Sequence, residues 1–69
     1  MKLSARNLLK GKVSKITLGA VNAEIELELS GGQKIVSIIT MNSVKRLGLE
    51  VGKEAYAMVK ASSVMIAVD

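Results

Sequence analysis

AVNAEIELEL, residues 20–29, alternates apolar and polar side chains without a break from Val21 onward. Val21, Ala23, Ile25, Leu27 and Leu29 fall on one face, and Asn22, Glu24, Glu26 and Glu28 on the other. A period of two sustained over that length marks a strand with one side in a core and the other in water. Three glutamates on the wet side call for partners. The preceding stretch LLKGKVSKITL (8–18) carries lysines, and a turn near Leu18–Gly19–Ala20 makes the two segments a hairpin. In that register Lys10 faces Glu28 and Lys12 faces Glu26, each opposite-charge pair contributing roughly 0.2–1 kcal/mol. Gly11 interrupts the pattern and suggests a bulge or bend.

Working outward, SGGQ (30–33) reads as a turn, because Gly31 and Gly32 tolerate positive φ. KIVSIIT (34–40) is a strand apolar on both sides, with Ile35 and Ile39 on one and Val36 and Ile38 on the other. Thr40 or Asn42 then caps a short helix through Leu47, ended by Gly48. Lys45 and Arg46 in its last turn suit the helix dipole. After a turn around Gly52, AYAMVKA (55–61) and SVMIAV (63–68) read as two more strands. The expectation is an all-β fold: a five-stranded OB-like barrel with one short helix between strands 3 and 4. It forms a single domain over residues 1–69. One face of the strands fills the barrel. The other (Val36, Ile38, Met58 and Met65) needs cover, which a second copy would give.

Composition narrows the chemistry. A 69-residue chain is one domain at most and buries only about 60% of the surface its unfolded form exposes. Small domains compensate with disulfides, a structural metal or self-association. The chain has no Cys and no His, so self-association is what remains. No apolar run approaches the ~18 residues of a membrane span. The basic N-terminal segment lacks the apolar core of a secretory signal. These features lead us to expect a cytoplasmic protein with no membrane partner. Net charge is +4, and Lys2, Arg6, Lys10, Lys12 and Lys15 all precede the first acid, Glu24. That asymmetry suggests an anionic partner, although exposed lysines on strands are ordinary.

Catalysis is poorly provided for, with no His or Cys to act as base or nucleophile. Lys60 and Ser62 lack the context of a nucleophile elbow. We therefore expect no enzyme, no catalytic residues and no cofactor. A nucleic-acid-binding OB module is the alternative, but single strands are held by aromatic platforms worth about 1–3 kcal/mol per base. Only Tyr56 is available, so no nucleic-acid partner is expected. What remains is a kit of donors: Ser4, Arg6 and Asn7; Thr40 and Ser43; Lys60, Ala61, Ser62 and Ser63. Cations supply charge, while hydroxyls and backbone N–H groups direct hydrogen bonds at a compact oxyanion. Without histidine or a nearby carboxylate such a site gives the ion no proton acceptor, which disfavours monohydrogen phosphate against a fully deprotonated dianion. Desolvating a dianion is costly, so donors must converge from several chains. Thr40 and Ser43 serve equally well as helix caps, and Ser62–Ser63 as a strand-end turn.

Three motifs, SARN (4–7), ITMNSV (39–44) and VKASSVMIA (59–67), together resemble the molybdate-binding Mop domain of the molbindins, over essentially the whole chain. The resemblance implies an OB-like barrel assembled as a homo-hexamer, a trimer of dimers, with oxyanions held between subunits. It also implies storage and homeostasis of molybdate or tungstate as ligand, with no metal ligated directly by the protein. Carried onto this sequence, the first motif supplies Ser4, Arg6 and Asn7, the middle one Thr40 and Ser43, and the last Lys60, the backbone of Ala61, and Ser62. The domain occurs once, without a DNA-binding segment, which fits a free-standing binder.

Overall fold

The computed structural model describes all residues, 1–69. Four strands are formed: β1 (Asn7–Leu18), β2 (Asn22–Leu29), β3 (Lys34–Thr40) and β4 (Glu54–Val59), with α1 (Met41–Leu47) between β3 and β4. They make one antiparallel sheet in the order β3-β2-β1-β4, an OB-like half-barrel. The alternation in β2 is realised as expected, with Ala23, Ile25 and Leu27 buried. Val13 from β1 and Val44 from α1 complete the buried apolar cluster, and Ile16, Ile35, Ile39, Met41, Leu49, Ala55 and Ala57 pack around it.

Helix α1 forms where its caps dictate. Thr40 stands at the N-cap with extended φ/ψ (−73°, 152°), and its Oγ1 accepts from the Ser43 N–H at 3.0 Å. Gly48 ends the helix in the left-handed region at φ 63°, a conformation that favours glycine. Its N–H donates to Lys45 O, and the Leu49 N–H to Val44 O. Lys53 Nζ donates to the Gly48 carbonyl at 2.8 Å, placing a cation where the helix dipole wants one. The helix thereby holds Val44 against the sheet.

Several expectations need correction. The fifth strand does not form: the chain leaves β4 through a short 3-10 turn, Ala61–Ser63, closed by the Ser63 N–H on Lys60 O at 2.8 Å. Val64 is extended (φ −89°, ψ 125°), but a strand needs a ladder, and no neighbouring strand pairs with residues 64–69. The sheet therefore has four strands and an open side. Val21 lies outside β2 and is exposed. The hairpin register also differs: Lys12 faces Glu28, and Lys15 faces Glu26. The difference is set at the turn, which runs over Gly19–Val21 with Leu18 facing Ala23 and the Gly19 N–H donating to Asn22 O. A further irregularity between Val13 and Lys15 places a bulge at Ser14, three residues after Gly11. Ser14 Oγ fastens it by donating to Glu26 O (3.1 Å) and Oε1 (2.9 Å). Lys10, freed from Glu28, pairs instead with Glu54 at 3.4 Å. Gly11 has a different use. It pairs with both Leu29 and Ala55, and a Cβ there would come within 2.7 Å of the Glu28 carbonyl oxygen.

Only 6 of 69 residues are buried, so the core alone leaves much apolar surface in water. Val36, Ile38 and Met58 on the outer side are exposed, and Met65, Ile66 and Val68 more so. The expectation that this surface needs cover stands as a physical requirement of the lone chain.

Candidate oxyanion site

The register of β1 against β4 brings two of the three motifs together. Asn7 pairs with Val59, so Arg6 lies one residue before the last rung of that ladder and Lys60 one residue after it. Both are exposed. Neither forms an ion pair: the two salt bridges of the chain are Lys10–Glu54 and Lys34–Glu26. Ser4 is exposed upstream of Arg6, and Ala61 and Ser62 open the 3-10 turn after Lys60. The geometry gathers two unneutralised cations, two hydroxyls and a tight turn of small residues at one end of the sheet. That donor set suits a compact anion and has no group to take a proton from one.

Asn7 differs from its neighbours. It is half-buried, and its Nδ2 donates to the Val59 carbonyl at 3.1 Å, which commits part of the side chain to the fold.

Thr40 and Ser43 are elsewhere. Thr40 pairs with Asn22 at the far end of the sheet, beside the Leu18–Ala23 rung. Between the two ends runs β1, 12 residues long at ~3.3 Å each, along much of the molecule's 36 Å long dimension. One chain cannot bring Thr40 or Ser43 onto an ion held at Arg6 and Lys60. Thr40 also has local work: besides accepting from the Ser43 N–H, its hydroxyl donates to Ser43 Oγ at 2.9 Å.

The outer face of the sheet between these ends is occupied by its own ions. Glu26, half-buried, has its carboxyl held below the ordinary value, first by the Ser14 hydroxyl bond, which outweighs the opposing effect of burial, and then by the Lys34 charge and hydrogen bond. Sequence reasoning missed Ser14. The signal was present in KVSKI, where the apolar residues Val13 and Ile16 stand three apart, an odd spacing for a regular strand.

A TOBE domain model matches residues 3–66. The chain belongs to the TOBE domain family. Its relatives bear out the likeness to Mop proteins. A probable molybdenum-pterin-binding protein of Haemophilus influenzae is 54% identical over 69 residues, covering the whole of both chains. Among solved structures, this TOBE chain is similar to MopII from Clostridium pasteurianum, with TM-score 0.92 and 51% identity over 97% of this chain and 100% of the other. It is similar too to the cytoplasmic molybdate-binding protein ModG, solved with molybdate bound, at TM-score 0.91 and 51% identity. That match covers 94% of this chain and 46% of ModG. No helix of the TOBE chain is long and apolar enough to cross a membrane.

Proposed function

We propose that the protein binds molybdate or tungstate, without turnover and without a cofactor, at sites completed between copies of the chain. The observation that carries this reading is the pair of unneutralised cations, Arg6 and Lys60, flanking the last β1–β4 rung. The molybdate-bound ModG, half identical to this chain, supports the choice of ion. In this reading Arg6 and Lys60 balance the dianion, while Ser4, Ser62 and the backbone of Ala61 direct hydrogen bonds at its oxygens. A neighbouring copy adds Thr40 and Ser43, because one chain holds them too far away.

Self-association has support of its own. Met65, Ile66 and Val68 are 92%, 86% and 90% exposed, and their main chain lacks a strand partner. Burying apolar surface at about 25 cal/mol per Å² favours contact with further copies. We take the assembly to be a homo-hexamer, a trimer of dimers, with the single domain spanning residues 1–69 of each subunit. Its role is storage and homeostasis of the oxyanion in the cytoplasm, the compartment named for ModG. The nucleic-acid alternative gains little: Tyr56 is 47% exposed but is a single platform where a bound strand needs several.

Native mass spectrometry with molybdate, tungstate, sulfate and phosphate tests the proposal in one experiment. We expect a hexamer that takes up molybdate and tungstate and rejects the other two. A monomer, or an assembly retaining phosphate as readily as molybdate, overturns it.

A further inference from the structure

Asn7 carries a role that its place in the SARN motif does not suggest. Ser4 and Arg6 are exposed ahead of the sheet, whereas Asn7 is the half-buried first residue of β1. Its amide Nδ2 donates 3.1 Å to the carbonyl of Val59, the residue it faces in the β1–β4 ladder. The side chain thus adds a bond of its own to the terminal rung. Ladder ends are where strand pairs open most readily, and this one is loaded by its flanks. Arg6 and Lys60 bear like charges just beyond the ends of β1 and β4, and neither is paired with a carboxylate, so they repel until an anion arrives. An end free to open would let them separate, and the ion would then have to gather them at the cost of its own affinity.

We propose that Asn7 is a positioning residue: its amide clamps the last β1–β4 rung and holds Arg6 beside Lys60 before the ion binds, without contacting the ion. The chemistry of the amide agrees. One N–H is committed to Val59 and the side-chain oxygen is an acceptor, which an anion avoids. The second N–H is the one donor left, and the disulfide variant below removes it while keeping the clamp. This inference rests on reading that end of the sheet as the oxyanion site, but the clamp itself has a readout that needs no ligand.

The test uses the full chain in three forms: wild type, Asn7→Ala, and the double variant Asn7→Cys with Val59→Cys. The protein has no cysteine of its own, so no native thiol competes with the introduced pair, and non-reducing electrophoresis separates the intrachain bridge from any link between copies. Facing residues of an antiparallel ladder lie about 4.5–5.5 Å apart at Cα, within the range a disulfide spans. In molybdate titrations Asn7→Ala should bind about tenfold more weakly, the equivalent of one lost hydrogen bond. The oxidised double variant should recover to within about threefold of wild type, and reduction should abolish the recovery. Backbone amides of residues 60–63 should exchange faster with solvent in Asn7→Ala and in the reduced double variant, with no ion present. Wild-type affinity in Asn7→Ala overturns the proposal. So does an oxidised variant as weak as the reduced one, which would make the amide itself a ligand. Should Asn7→Ala fail to fold, the oxidised and reduced double variants decide alone. If wild type binds no molybdate, the functional reading fails, and the exchange rates still judge the clamp.

Discussion

The middle of the sheet and its Asn7–Val59 end use the same residue types to opposite effect. In the middle, cations and carboxylates alternate across the outer face. Lys34, Glu28, Lys12 and Glu54 follow one another from β3 to β4, and Lys10 and Lys34 reach Glu54 and Glu26 at 3.4 Å. At the end, Arg6 and Lys60 flank the last β1–β4 rung and neither forms an ion pair. Cations stand in both places, but carboxylates accompany them only in the middle, where Lys10 and Lys34 are held by Glu54 and Glu26 and Lys12 and Lys15 face glutamates in the register. The net charge of +4 therefore says less about binding than the location of the unpaired part of it.

The largest test of that contrast is to remove one cation from each region. Arg6→Ala or Lys60→Ala should weaken molybdate binding about 100-fold, or ~2.7 kcal/mol, as expected for truncating one partner of a desolvated charge contact. Lys10→Ala, which releases only the exposed pair with Glu54, and Lys12→Ala, whose neighbours across both ladders are Glu28 and Glu54, should change it less than about threefold. Calorimetry on the four variants reads the difference directly. Equal losses in both regions would show that overall charge, rather than the unpaired end, attracts the ion.

Gly11 lies within the paired middle, on β1 between β2 and β4. An added methyl would face the Glu28 carbonyl oxygen at 2.7 Å and Leu29 Cδ2 at 3.1 Å. Main chain cannot swing aside as a flexible side chain can, so β1 and β2 must part. Gly11→Ala should destabilise the fold by about 2 kcal/mol. The check is a urea unfolding midpoint at fixed protein concentration, because association adds to apparent stability.

Much of this was legible before any coordinates. The glutamates of β2, the Gly31–Gly32 turn and the α1 caps are set by contacts a few residues apart, and local pattern reports them faithfully. The three motifs also named candidate site residues, but sequence could not divide them by position. That Arg6 and Lys60 meet, and that Thr40 is remote, follows from strand register across 52 residues of separation between Asn7 and Val59. The hairpin register departs from the sequence reading because the turn closes over Gly19–Val21, with Leu18 facing Ala23, and the extra residue at Ser14 then moves the pairs beyond it by one. SVMIAV was read as a strand because its side chains suit one. A strand, however, is a property of two segments, and this chain offers no second.

Thr40 and Ser43 sharpen the contrast at the far end, where folding and binding compete for the same hydroxyls. Thr40→Val removes the cap acceptor for the Ser43 N–H and should cost about 1 kcal/mol of stability. Ser43→Ala keeps that N–H and should cost under ~0.5 kcal/mol. If both hydroxyls also reach an ion held by a neighbouring copy, each variant loses molybdate affinity, and Ser43→Ala does so with stability almost intact. Thermal unfolding beside calorimetry separates the two roles, and an unchanged affinity in Ser43→Ala would leave the pair as a helix cap and nothing more.

The smallest effect belongs to the paired middle itself. Glu26 has a folded pKa below its ordinary value of 4.5, mainly through the Ser14 hydroxyl and secondarily through Lys34. A carboxyl whose pKa is depressed on folding adds stability that is fully present above its unfolded pKa and disappears as pH falls through the folded value. Wild type should therefore exceed Ser14→Ala in stability at pH 7, with the gap narrowing once the pH drops below about 4.5. Part of the gap should survive in acid, because Ser14 also donates to the Glu26 main-chain carbonyl at 3.1 Å, a bond that does not titrate. Unfolding midpoints of the two proteins between pH 7 and pH 3 measure both parts. A gap constant across that range would mean that Ser14 secures the bulge through the backbone alone, and that the charge order of the middle owes nothing to it.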